Sequence, residues 1–268
     1  MSPFGLIIIR TFVSIVVFWA IGFFMPKQKA RPAELLILAI GGLFGIAVAL
    51  VCFTISIRMI SPVVYSFIQT MGPIVVLLLS VLFSMESITP KKAIGVIIGI
   101  SGAVLIVLQN AGSGVAKVSI LGIFVAFLSV AGYSAHILIL RKVAGRFTPI
   151  TIMKWMYLWS FLFLSPLGVP ELPQQRLFSS EFSLLPLLLL GYTVFLASIV
   201  GSFLMPIALK KVKATAVSMY SAIQPLTAST AAIIIGQDVF SWDKPLALIL
   251  IIAGVYLVTQ KTKNKLES

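Results

Sequence analysis

The chain has 268 residues, of which 60% are hydrophobic and only 10% charged, and its mean hydropathy is +1.14. Soluble globular domains carry about 25% charged residues, so these proportions exclude a soluble fold and place the chain in a lipid bilayer. The formal net charge of +13 would suggest nucleic acid in a soluble protein; in a membrane protein it marks Lys- and Arg-rich cytoplasmic loops, and no nucleic-acid partner is expected.

Apolar runs at 5–25, 34–57, 62–85, 92–108, 118–140, 150–170, 184–208, 214–236 and 245–259 predict nine transmembrane helices, an all-α polytopic fold. The fourth and ninth are short for a span. None of the runs alternates apolar and polar residues as barrel strands do. The first run carries Arg10 within its apolar stretch, and no basic segment precedes it as in a signal peptide. The second contains Cys52, the sole cysteine, so an intrachain disulfide is excluded. Tyr65, Gln69 and Pro73 stand at i, i+4 and i+8 in the third, on one helical stripe. A short Gly- and Ser-containing linker, 111–117, leads to the fifth run with Tyr133 and His136. The sixth holds Lys154, Trp155, Tyr157 and Trp159, whose aromatic rings suit a lipid-interface belt. A polar loop, Glu171–Ser183, follows. Ser221, Gln224 and Pro225 lie in the eighth run, and a basic tail, 261–268, ends the chain.

Residues 61–108 and 213–260 are two copies of one pattern. A constant step of 152 pairs Pro73 with Pro225, Glu86 with Asp238 and Gly102 with Gly254. Identity is low, but the order of features repeats: polar start, mid-helix proline, acidic turn, glycine-containing helix. The expected organisation is a first repeat, 1–110, the linker, and a second repeat, 118–260. Five spans separate paired residues, an odd number, so the halves are expected to be inverted relative to each other. Fourteen loop and tail cations fall on one side, against Arg58, Lys117, Arg176 and Lys244 on the other. The richer side is the cytoplasmic one, which holds the C-terminus. The span 118–140 has no partner in the first half, so one helix before residue 5 is expected to be missing from a five-plus-five plan.

The stretch IIIRTFVSIVVFW, the segment from Thr54 to Leu108 and the segment IALKKVKATAVSMYSAIQPLTASTAAIIIGQDVFSWDKPLALILIIAGVYLV resemble the ten-helix EamA-type transporters of the drug/metabolite transporter superfamily. The resemblance covers nearly the whole chain and rests on diffuse patterns. It implies a plasma-membrane carrier of small organic solutes, often an exporter of amino acids or other metabolites, with a central cavity between the halves.

All seven acidic residues fall at span ends, in loops or in the tail, which argues against coupling by a buried carboxylate relay. Tyr65, Gln69, Tyr133, His136, Ser221 and Gln224 are the candidate substrate-pathway residues, because polar groups within a span need a partner, a solute or water. Interhelical hydrogen bonding is the plainer alternative for each. Pro73 and Pro225 are candidate kinks. Arg10 and Lys154 stand near the starts of paired spans as snorkelling anchors or as gating and solute-carboxylate contacts. A lone histidine and a lone cysteine predict no metal site, and no cofactor is expected. HExxH, GxSxG and paired buried carboxylates are missing, so an enzyme is not expected. The competing reading is a non-transporting assembly or regulatory subunit.

Overall fold

The computed structural model describes residues 3–26, 28–85, 88–112, 119–175, 184–212 and 242–259, with isolated positions between 214 and 235. Every regular element among the described residues is helical. Helix α1 spans Pro3–Phe23. Helix α2, Pro32–Gly42, runs through a π-helical stretch, Leu43–Val48, into α3, Ala49–Ser56. Helices α4, Pro62–Gln69, and α5, Gly72–Leu82, are two pieces of one apolar run, bent by 42°. Then come α6, Pro90–Gly112, α7, Ile120–Ala144, and α8, Pro149–Gly168, which a 3-10 turn, Val169–Gln174, extends. Helix α9, Leu184–Tyr192, passes through a second π-helical stretch, Thr193–Gly201, into α10, Ser202–Lys211. Helix α11, Asp243–Thr259, follows. The run 214–236, with Ser221, Gln224 and Pro225, lies outside the described residues apart from isolated positions.

Pro3–Phe23, Pro32–Ser56, Ile120–Ala144, Pro149–Pro173 and Leu190–Lys211 are long and apolar enough to cross a membrane, and the bent α4–α5 pair makes a sixth. The runs that look short in the sequence behave accordingly. Helix α11 has 17 residues, about 26 Å of helix against a hydrocarbon core of about 30 Å. Helix α6 starts on Pro90, Lys91 and Lys92 and ends near Gln109 and Asn110, so its apolar part is shorter than the helix.

The starts of several helices follow local chemistry. Pro62 and Pro149 sit at first helical positions, where a missing N–H costs nothing, each behind a capping hydroxyl. Ser61 Oγ accepts from Val64 N at 3.2 Å and Thr148 Oγ1 from Thr151 N at 3.3 Å. Helix α1 has no acidic residue in its first turn; Glu171 supplies one from the 3-10 turn, its Oε2 accepting from Phe4 N at 3.1 Å and Gly5 N at 3.3 Å.

The chain forms two compact units, each drawn from both halves of the sequence. One comprises Met1–Thr54 with Ala135–Val212, the other Ile55–Ser134 with Lys213–Ser268. In the first, α8 packs against α1, α2 and α10. Helices α1 and α8 run antiparallel: Ile8 lies by Gly168, Phe12 by Phe161, Phe18 by Tyr157 and Trp19 by Trp155. In the second, Val63, Phe67, Met71, Ile74 and Leu77 share a core with Ala247, Leu248, Ile251, Val255 and Val258. There α6 and α11 also run antiparallel, in backbone contact. A methyl group on Gly254 would stand 2.5 Å from Gly95 O and 2.7 Å from Gly99 Cα, so only glycine permits this approach.

Candidate functional site

Two groups of polar side chains stand inside apolar helices, one in each unit. The first is at the α4–α5 bend. Tyr65 Oη donates to Gln69 Oε1 at 3.0 Å and lies 3.0 Å from Ser129 Oγ on α7. Thr70 Oγ1 donates back to Ser66 O at 2.9 Å and Phe67 O at 2.8 Å, capping the end of α4. Pro73 is the second residue of α5 and has no N–H to offer Gln69 O one turn earlier. The break therefore falls at Thr70–Met71, just ahead of the proline, next to Gln69. The amide N–H groups of Gln69 have no partner among the described residues, and the side chain is partly exposed.

The second group belongs to α1, α8 and the second π-helical stretch. Arg10 is the eighth residue of α1, two turns inside the helix rather than at its start. Its Nε donates to Ser198 Oγ. Tyr157 Oη donates to Ser198 O at 3.0 Å and lies 2.7 Å from Ser202 Oγ. Ser14 and Ser198 are fully buried and Tyr157 is 4% exposed. The lipid-belt expectation for Tyr157 is therefore wrong: its ring stacks on Phe18 at 5.6 Å, because its hydroxyl has buried acceptors to satisfy. Lys154 stands elsewhere, its Nζ 5.3 Å from the Trp19 ring and 6.0 Å from that of Trp155, a cation–π arrangement.

His136 is buried, with Nδ1 3.0 Å from Gly41 O. A carbonyl only accepts, so Nδ1 carries the proton. Gly41 immediately precedes the last residue of α2, and the Gly42 carbonyl lies 2.9 Å from Ser160 Oγ, sharing its proton with Met156 O at 2.6 Å. Both carbonyls lie at the entry to the first π-helical stretch, where the widened turn disturbs the regular ladder. Gly45 within that stretch leaves room for the imidazole; any side chain there would collide with it. Tyr133 lies one turn before His136 on α7, and Ser129 a turn before Tyr133.

The sequence profile of the EamA-like transporter family matches residues 1–108 and again 120–260. The chain belongs to the EamA-like transporter family. Its members are multi-pass membrane transporters of small solutes, so a bilayer and a small-molecule solute are this transporter's partners. A solved crystal structure of a protein is similar to the chain with a TM-score of 0.68 at 19% identity, covering 97% of this chain and 89% of that one; at this identity the likeness concerns the fold. No curated protein matches.

With both repeats of the EamA-like transporter matched, the two π-helical stretches fall into register. The step of 152 carries Leu43 to Phe195 and Val48 to Val200, inside Thr193–Gly201. Each stretch has a carbonyl at or near it held by a hydroxyl from α8: Gly42 O by Ser160, Ser198 O by Tyr157. Of the sequence candidates, the structure joins Tyr65 to Gln69, gives His136 a backbone partner, and sets Arg10 and Lys154 in different surroundings. Ser129, Ser198 and Ser202 are polar partners that sequence reasoning misses, although Ser129 shares the stripe of Tyr133 and His136.

Proposed function

We propose that the protein is a secondary transporter that exports small organic solutes, amino acids or related metabolites, across the plasma membrane by alternating access. The C-terminus is cytoplasmic and the two repeats have opposite orientation in this reading. The observation that carries it is the α4–α5 bend, where a polar amide whose donors have no partner among the described residues stands beside a proline-induced break inside an apolar run. Broken helices near the middle of a span are where carriers of inverted-repeat design bind solutes. Tyr65, Gln69, Tyr133 and His136, with Ser221 and Gln224 from the second repeat, form the proposed pathway. Pro73 and Pro225 are the proposed hinges. The basic bias of the loops supports the orientation.

The test is efflux from proteoliposomes loaded with a panel of amino acids and other metabolites. Saturable, protein-dependent flux of a subset is expected. A correctly folded, monodisperse protein that moves none of them would contradict transport and favour an assembly or regulatory subunit.

A further inference from the structure

We propose that Arg10, held in place by the hydroxyl of Ser198, forms a subsite for the carboxylate of a small organic solute. This rests on the transport reading above and adds a chemical class of substrate to it.

Arginine stays charged at any physiological pH and offers only donors. Placing it within a span is costly, so such a residue is retained for a partner. Arg10 lies about 10 Å along α1 from Pro3. No carboxylate among the described residues pairs with it, and Ser198 Oγ is its side-chain partner there. The Glu171 carboxylate is turned to the first N–H groups of α1 instead. The Nη groups thus present a positive fork without a described acceptor. Ser198 Oγ accepts from Arg10 Nε and, being fully buried, positions the guanidinium. A guanidinium fork matches a planar anion with two oxygens.

Arg10 also sits on the inward flank of α1. The stripe Arg10, Ser14 and Phe18 continues into side chains that are 0% and 1% exposed, while Phe12 and Val16 mark the opposite, exposed side. Arg10 itself is partly exposed. In the π-helical stretch the Ser198 carbonyl accepts from Tyr157 Oη while its hydroxyl accepts from Arg10.

The experiment uses the full chain in neutral detergent and follows thermal stability against matched pairs: leucine and leucinamide, benzoate and benzamide. The acids should stabilise the protein saturably and the amides should not. Arg10→Gln should weaken the acids roughly ten- to hundredfold. Arg10→Lys, a point charge without the fork, should fall between. Ser198→Ala should weaken them roughly threefold or more, and these two variants decide the matter if Arg10→Gln does not fold. Equal binding of acid and amide, or unchanged binding in all three variants, overturns the subsite. Stabilisation by phosphatidylglycerol alone, lost in Arg10→Gln, overturns it in favour of a lipid anchor. Flux of the same compounds separates the two claims: transport indifferent to the carboxylate removes the subsite alone, and carboxylate binding through Arg10 without flux removes the transport reading alone.

Discussion

The α6–α11 contact and the α1–α8 contact are both antiparallel helix pairs in apolar surroundings, and they are built on opposite principles. Gly95, Gly99 and Gly254 bring α6 and α11 together backbone to backbone, with aliphatic side chains around them. Between α1 and α8 stand large aromatic rings, and beside them Arg10, Ser14 and Tyr157. In a bilayer, close van der Waals packing is what holds helices together, so the glycine contact is self-sufficient as scaffold. Buried polar groups add stability only when fully partnered. Arg10 keeps Nη donors without an acceptor among the described residues, which packing alone does not require.

That contrast can be broken most forcefully at the glycine contact. Gly254→Ala should destabilise the protein by about 1–3 kcal/mol, because the new methyl overlaps backbone that has nowhere to move; thermal unfolding in detergent measures this, and an unchanged midpoint would mean the helices can separate freely. Comparable in size is Gly45→Ala, which should displace His136 from Gly41 O and cost about 1–3 kcal/mol, since the buried imidazole and carbonyl both lose a partner. An unaltered histidine ring environment in NMR would count against it. Gln69→Ala should leave stability nearly unchanged and raise KM for a transported solute by roughly two- to tenfold, the worth of one hydrogen bond. The smallest effect is expected at the Arg146–Glu34 ion pair, whose arginine side chain is 52% exposed. Arg146→Gln should cost about 1 kcal/mol or less, and less still at high salt.

Much of this was readable in the amino-acid sequence because it is local. Hydrophobic runs located the described helices, their lengths flagged α6 and α11, and the i, i+4 spacing of Tyr65 and Gln69 put their side chains in contact. What was not readable depends on tertiary partners. A π-helical stretch leaves no mark in composition, so Leu43–Val48 and Thr193–Gly201 look like ordinary apolar helix. Ser129, Ser198 and Ser202 resemble small packing residues until Tyr65, Arg10 and Tyr157 are brought to them. Tyr157 beside two tryptophans has the look of a lipid-facing belt, and only the fold reveals the buried acceptors that turn it inward. The break at Thr70–Met71 precedes Pro73 because proline acts on the turn before it.

The most direct test of the division between scaffold and polar sites is efflux kinetics from proteoliposomes holding wild type, Gln69→Ala or Gly102→Ala, whose new methyl would stand 2.8 Å from Ala247 O on α11, at matched amounts of folded protein. The account predicts a raised KM in Gln69→Ala, and in Gly102→Ala less folded protein but wild-type KM. An unchanged KM in Gln69→Ala together with a shifted KM in Gly102→Ala would contradict it.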